Sequence, residues 1–229
     1  MSEKTTTSNG HEIKNPTSEM TADGLRQKLE EWGIDGETPA SRIEQFKHLS
    51  MEGIAIVIDE INKSLQGSRD SLMNHETVVK IGTQETLKPE FRYDVFKQLI
   101  DDIRQCPDTV NPARIGDVLA LGVVLLHPFR DGNGRTARVL GLIFRDDYDK
   151  SDYSSTYDVV TESRDTSRAR GGMIVYGYTP HFPEGFDQTN PVEVSAYLAG
   201  LLREENTGLY IGPYGQAPLS VENSPENNT

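Results

Sequence analysis

Twelve consecutive residues combine side chains that could bind phosphate and move a proton. Glycines let backbone N–H groups approach a ligand closely, and arginines donate forked hydrogen bonds to phosphate. An imidazole is a natural general base near neutral pH, and a carboxylate is a ligand for Mg²⁺. The segment runs His127-Pro128-Phe129-Arg130-Asp131-Gly132-Asn133-Gly134-Arg135-Thr136-Ala137-Arg138. These residue types in this order predict a site for a phosphate-bearing ligand.

A helix predicted to begin at Gly134 would turn the glycines into an anion site. Gly132, Asn133 and Gly134 would lie at its N-terminus, where unpaired N–H groups and the helix dipole favour anions. Arg135 and Arg138 are three residues apart, so they share one helix face and could both reach a polyphosphate. Each feature alone is common without function, since Asp-Gly-Asn-Gly is usually a turn. The combination favours function.

Two more residues of the segment complete this chemistry. His127 ends an apolar run and is the candidate general base. Asp131 offers an oxygen ligand to Mg²⁺, which typically takes one or two carboxylates together with substrate phosphates.

Composition limits the classes of partner. The chain has 229 residues and a formal net charge of −13, so a general electrostatic contact with nucleic acid is not expected. Cys106 is the only cysteine, which excludes a disulfide or a cysteine zinc site within one chain. The longest apolar run, Leu119 to Leu126, is too short to span a bilayer. We expect a cytoplasmic protein without membrane or nucleic-acid partners, although export as an effector stays open.

The elements around the segment predict a mostly α-helical protein with one small hairpin. Residues 1–22 and 213–229 are polar and are expected to be flexible, which leaves one domain over residues 23–212. Thr77–Thr83 has strand propensity and a glycine turn, and Met173–Tyr176 could form another strand. The predicted helices are Ala22–Trp32, Ala40–Leu65, Lys88–Arg104, Pro112–Leu126, Gly134–Asp146 and Pro191–Glu205.

Three of these helices carry local start signals. Thr38-Pro39, Asn111-Pro112 and Asn190-Pro191 each place a capping residue before a proline at the first helical position. The helix from Pro112 is apolar on nearly every side, which predicts a central buried helix.

The twelve-residue segment resembles the signature of the Fic family, His-Pro-Phe-x-(Asp/Glu)-Gly-Asn-Gly-Arg-x-x-Arg, at every defined position. The resemblance implies an α-helical fold with the loop between two central helices. It also implies transfer of AMP from Mg-ATP to a Ser, Thr or Tyr hydroxyl of a target protein. The roles it implies are proton acceptor for His127, Mg²⁺ ligand for Asp131, anion hole for Gly132, Asn133 and Gly134, outer-phosphate binding for Arg135 and Arg138, and structural anchor for Phe129.

Two further features follow from the resemblance. The hairpin, with Val79, Lys80, Ile81 and Gly82, resembles the flap that docks the target by strand addition. Related Doc-type kinases carry Lys where this chain has Gly134, which favours nucleotidyl transfer over phosphorylation.

The family's inhibitory helix, (Ser/Thr)-x-x-x-Glu-(Gly/Asn), has no strict copy in this chain. Glu52-Gly53 has the right ending, but His48 replaces the Ser or Thr. The hypothesis is that Glu52, with Glu44 as second choice, restrains Arg138 by an ion pair. The alternative is that Glu52 is a solvated helix residue and Gly53 allows a close helix crossing.

Several alternatives stay open. The same site could remove AMP from proteins or use another nucleotide or diphosphate donor, and a silent nucleotide-binding or toxin–antitoxin module is the non-enzyme alternative. An antitoxin partner that inhibits the site in trans and self-association are further alternatives. The motif does not assign the nucleoside pocket, and four tyrosines follow it in the sequence: Tyr153, Tyr157, Tyr176 and Tyr178.

Overall fold

The computed structural model describes residues 22–66, 78, 80–81, 84–145, 178–179, 183–203 and 210–211. This part is mostly helical, as the sequence predicts. The helices are α1 (Ala22–Trp32), α2 (Pro39–His48), α3 (Met51–Gln66), α4 (Pro89–Arg104), α5 (Pro112–Leu126), α6 (Asn133–Ile143) and α7 (Pro191–Arg203). The strands are β1 (Lys80–Ile81), β2 (Gln84–Glu85), β3 (Tyr178–Thr179) and β4 (Tyr210–Ile211). The predicted lead-in before Ala22, the predicted tail and the Met173–Tyr176 strand lie outside the described residues.

Helix α5 is the centre of the fold. Every residue from Ile115 to Leu126 is buried, and α5 packs against α2, α4, α6 and α7. Asp117 is the one charged residue in that stretch, and both of its carboxylate oxygens accept from Arg145 Nη2, at 2.8 and 3.0 Å. Since a buried charge is tolerated when it is paired, this ion pair lets Asp117 lie in the core. The predicted central buried helix is confirmed.

The predicted helix starts are confirmed at atomic detail. Thr38 and Ser41 form a capping box at the start of α2. Asn111 Oδ1 accepts from Ala113 N at 2.9 Å, and Asn190 Oδ1 accepts from Val192 N at 3.0 Å. Each side chain satisfies an N–H group that has no acceptor within its helix.

The prediction of a single helix over Ala40–Leu65 is wrong, because the helix is interrupted between α2 and α3. Leu49 is extended (φ −62°, ψ 146°). Ser50 Oγ then accepts from Gly53 N at 3.0 Å and caps α3. Arg104 of α4 donates to the carbonyl oxygen of Leu49 at 2.6 Å. The break is stabilised by a residue distant in sequence, so helical periodicity alone did not reveal it.

Arg42 ties the N-terminal helices to the far end of α6. Its side chain is buried and donates to three carbonyl oxygens, those of Gly36 (2.8 Å), Ile143 (2.6 Å) and Arg145 (2.7 Å). Ile143 is the last residue of α6, where carbonyl oxygens have no N–H donor within the helix. Arg42 therefore acts as a C-terminal cap for α6.

Two short antiparallel pairings complete the described structure. Lys80 lies opposite Glu85 and Ile81 opposite Gln84, while β3 pairs with β4. Of the predicted flap residues, Val79 and Gly82 lie outside the described residues, and the docking role of the hairpin stays a prediction. None of the described helices combines the length and the apolar character needed to cross a bilayer.

Candidate phosphate-binding site

The candidate site begins where α5 ends. His127 is the C-cap of α5, and its N–H donates to the carbonyl oxygen of Val123. Its backbone is left-handed (φ 49°, ψ 57°), and it is the one non-glycine residue with positive φ in the described part of the chain. This conformation costs roughly 1–3 kcal/mol and is concentrated at functional sites. The half-buried imidazole of His127 is thus held at the end of a rigid, buried helix.

An amide clasp closes the loop between α5 and α6. Phe129 is fully buried, and its backbone N–H donates to Asn133 Oδ1 at 2.9 Å. In return, Asn133 Nδ2 donates to the carbonyl oxygen of Phe129 at 2.7 Å. Phe129 is thus fixed by its backbone as well as by burial, and its role as anchor of the site stays a prediction. The amide of Asn133 shapes the loop, so a contribution of Asn133 to an anion site would come from its backbone N–H.

The N-terminus of α6 has the features of an anion site. The helix begins at Asn133, one residue before the predicted start, and Gly132 is its N-cap with no side-chain cap. Gly132 adopts a left-handed conformation (φ 80°, ψ 2°) that favours glycine. The first N–H groups of a helix have no acceptor within it, and the helix dipole is positive there. Gly134 lies buried in this first turn.

A carboxylate and a guanidinium flank this helix end. Asp131 Oδ1 accepts from Gly132 N at 2.7 Å, and Asp131 Oδ2 lies 3.7 Å from Arg135 Nη2. The side chain of Asp131 is 79% exposed and that of Arg135 is 15% exposed. Among the described residues there is no group of three or more His, Cys, Asp or Glu side chains that could hold a metal ion. A single exposed carboxylate still fits Mg²⁺, which takes its other ligands from phosphate and water.

Asn62 of α3 also contacts the loop, although it was not among the site residues predicted from the sequence. Its Nδ2 donates to the carbonyl oxygen of Asp131 and to Thr136 Oγ1, both at 3.0 Å. Asn62 and Thr136 are fully buried. A polar residue at a core-facing position of an apolar helix is the one signal that could have identified Asn62, because buried polar groups are normally hydrogen-bonded.

The two proposed inhibitory residues, Glu52 and Glu44, lie on α3 and α2. Glu52 is exposed in the first turn of α3, ten residues before Asn62, which corresponds to about 15 Å along the helix axis. Glu44 is exposed on α2, with its Oε1 3.5 Å from His48 Nδ1. Arg138 belongs to α6, but its side chain is outside the described residues. An ion pair between Arg138 and either glutamate stays a prediction, which labelling by wild type and Glu52→Gly would test.

The crossing predicted at Gly53 is not close. A Cβ at this position would lie 3.4 Å from Ser50 Oγ and 3.5 Å from Leu49 Cβ, which is ordinary contact.

A separate cleft of about 620 Å³ lies at the other end of α5, where Arg114 and Arg203 are among its lining residues. Burial raises the pKa of the Cys106 thiol, which also lines this cleft. The cleft is about 20 Å from the loop by the length of α5.

Comparison with known proteins points to the same loop. Residues 57–144 match the Fic/DOC family. The Fic/DOC segment begins within α3 and ends just after α6, so it contains Asn62 and the whole twelve-residue segment from His127 to Arg138. Helices α1 and α2 lie before it.

A curated relative supports the Fic/DOC match. Over 123 residues the chain is 31% identical to the protein named protein adenylyltransferase fic-1 from Caenorhabditis elegans. The similar region covers 51% of this chain and 24% of that protein, so the chain spans about a quarter of the relative's length. No solved structure gives a significant match.

Proposed function

We propose that the protein is an adenylyltransferase that transfers AMP from ATP to a Ser, Thr or Tyr hydroxyl of a target protein, or of itself. The observation that carries the proposal is the loop of the Fic/DOC segment. It places a histidine at the end of buried α5 and, six residues later, the uncapped N-terminus of α6. The name of the C. elegans relative supports the same reaction class.

His127 is the residue that accepts a proton in this reaction. The hydroxyl oxygen of the target attacks the α-phosphorus while its proton passes to the imidazole. The bond from the α-phosphorus to the bridging oxygen breaks, and pyrophosphate leaves with the electron pair. His127 then releases the proton to solvent. The products are the AMP-modified hydroxyl, pyrophosphate and one proton.

Charge stabilisation comes from the start of α6. Its N–H groups and dipole lie where the phosphate oxygens would bind, and Arg135 adds a guanidinium beside them. Because Phe129 and Asn133 close the loop by two hydrogen bonds, these donors are held in place before substrate arrives. Such preorganisation is commonly the largest contribution to catalysis of this type.

Asp131 is the residue that would hold Mg²⁺ through its exposed carboxylate. The ion, when bound with ATP, supplies positive charge against the phosphate oxygens. Asp131 is itself fixed through its carbonyl oxygen by Asn62, so the carboxylate extends from an anchored backbone.

Gly134 supports nucleotidyl transfer over phosphorylation. The residue lies in the first turn of α6 and brings no side chain to the phosphate site, whereas Doc-type kinases carry Lys there. The family description covers both Fic and DOC proteins, so the transferred group must be decided by experiment.

Labelled ATP distinguishes the two reactions. Purified protein and a cell lysate are incubated with ATP carrying the label at either the α- or the γ-phosphate, with wild type compared to His127→Ala. We expect α-label in protein bands with wild type, no more γ-label than with His127→Ala, and at least about 100-fold less α-label with His127→Ala. Loss of the label on alkaline phosphatase treatment would also contradict AMP transfer.

The remaining alternatives are outcomes of the same assay. Incorporation from GTP, UTP or CTP in place of ATP would change the donor. Removal of AMP from a previously labelled protein would indicate the hydrolase. No incorporation above His127→Ala with any donor would overturn the transferase proposal.

A further inference from the structure

Asn62 connects the core of the protein to the loop. It lies on α3, 69 residues before Asp131 and 74 before Thr136, and donates to both at 3.0 Å. The orientation of its amide is fixed, since a backbone carbonyl oxygen only accepts and must therefore face Nδ2. One side chain thus holds both the last turn of the loop and the first turn of α6.

The second atom of this amide is not satisfied. Asn62 Oδ1 is buried and has no hydrogen-bond partner among the described residues. An unsatisfied buried acceptor destabilises the fold, which offsets part of the stability that the two hydrogen bonds of Nδ2 contribute. Stability alone gives little reason for an asparagine at this position.

We propose that Asn62 is a positioning residue for the phosphate-binding loop, which it holds in the conformation that places Asp131 and the N-terminus of α6. Its bond to Asp131 anchors the residue just before Gly132, where the backbone enters the left-handed conformation. Its bond to Thr136 fixes the first turn of α6 relative to the loop. The carboxylate of Asp131 stays exposed while its backbone is held from the inside.

The role in ATP binding rests on the function proposed above, whereas the ordering of the loop does not. Without Asn62 the loop should sample more conformations, and the aligned donors for phosphate would be present for less of the time. Residues that orient metal ligands typically contribute 10–100-fold to affinity or activity. The expected signature is a disordered loop on an otherwise intact fold.

Hydrogen–deuterium exchange without nucleotide tests the ordering directly. The variant is Asn62→Leu combined with Thr136→Val, which replaces both ends of the Asn62–Thr136 hydrogen bond by apolar groups of similar shape. It also removes the donor to the part-buried Asp131 carbonyl oxygen. We expect the amides of residues 129–136 to exchange at least about 10-fold faster, with Tm within about 4 °C of wild type. Lys63→Leu, at an exposed neighbour on α3, and Thr136→Ser, which keeps the hydroxyl, should exchange like wild type.

Two results would overturn the proposal. One is wild-type exchange of the loop in the double variant. The other is faster exchange spread equally over α3, α5 and α6 with a larger loss of Tm, which would make Asn62 a general structural residue. If the double variant does not fold, Thr136→Val alone, which keeps the bond to Asp131, must speed exchange in the first turn of α6 relative to wild type. Wild-type exchange at that turn would overturn the proposal.

Calorimetric titration with Mg-ATP is the second readout. We expect a Kd at least about 10-fold higher in the double variant than in wild type and in Lys63→Leu. Equal affinities would overturn the link between Asn62 and the nucleotide. Wild type that does not bind ATP would instead contradict the proposed function, while the exchange experiment would still decide the role of Asn62.

Discussion

At the scale of single residues, the loop depends on side chains that bind the backbone. Asn133 satisfies both the N–H and the carbonyl group of buried Phe129, and Asn62 binds the carbonyl of Asp131. His127 and Gly132 supply the two left-handed turns at either end. A motif residue can therefore matter for the shape of the site without touching a ligand.

Replacing Asn133 by Leu tests this distinction. The change leaves two buried backbone groups of Phe129 without partners, which should lower the free energy of unfolding by about 3 kcal/mol. Urea denaturation measures the effect. Arg130→Ala, at an exposed position of the same loop, should change it by less than about 0.5 kcal/mol. If Asn133→Leu is as stable as wild type, the clasp does not hold the loop.

At the scale of elements, the surroundings of two helical glycines predict that substitution by Ala changes stability in opposite directions. Gly116 lies where α5 crosses the end of α6, and an added Cβ would be 3.1 Å from Cβ and Cδ2 of Phe144 and 3.3 Å from the Gly141 carbonyl oxygen. At Gly200 in α7 nothing lies within 4 Å of such a Cβ. Both substitutions by Ala gain about 1 kcal/mol of helix propensity.

The crowding at Gly116 should outweigh this gain, since overpacking typically costs about 1–3 kcal/mol. We expect Gly200→Ala to raise the free energy of unfolding by about 0.5–1 kcal/mol and Gly116→Ala to lower it. Thermal and urea unfolding of the two variants measure the difference. Equal stabilisation of both would show that the α5–α6 crossing does not need a glycine.

At the scale of the whole molecule, the helices before the Fic/DOC segment are part of its core. Leu25, Leu29 and Phe46 of α1 and α2 are fully buried, and the ring of Phe46 packs edge-on against Phe144, with centroids 5.4 Å apart. Arg42 caps the C-terminal end of α6. The segment over residues 57–144 is therefore not a complete folding unit.

A fragment of residues 57–144 should accordingly fail to unfold cooperatively. It would expose the apolar surface that α1, α2 and α7 cover, and it would lack the Arg42 cap. Near-UV circular dichroism and thermal melting measure this, with a fragment of residues 22–203 as the folded control. A cooperative transition in the shorter fragment would show that α1 and α2 are dispensable.

Much of the fold could be predicted from the sequence, because its signals are local. Thr38, Asn111 and Asn190 start helices through bonds that span two or three residues, and the apolar composition of α5 fixes its burial. The residues of the loop are likewise contiguous, so their types and spacing indicated phosphate chemistry. These interactions need no knowledge of the rest of the chain.

Only the tertiary structure decided what holds the loop and the helices in place. The break after Leu49 is held by Arg104, 55 residues away. The partners of Asn62 lie 69 and 74 residues away, and Ile143 is 101 residues from Arg42. No local pattern encodes such pairs, since they arise when packing brings distant backbone groups together and leaves them without water. The sequence by itself predicted the chemistry of the loop, because that prediction needs only contiguous residue types, and packing around α5 decided which residues position the loop.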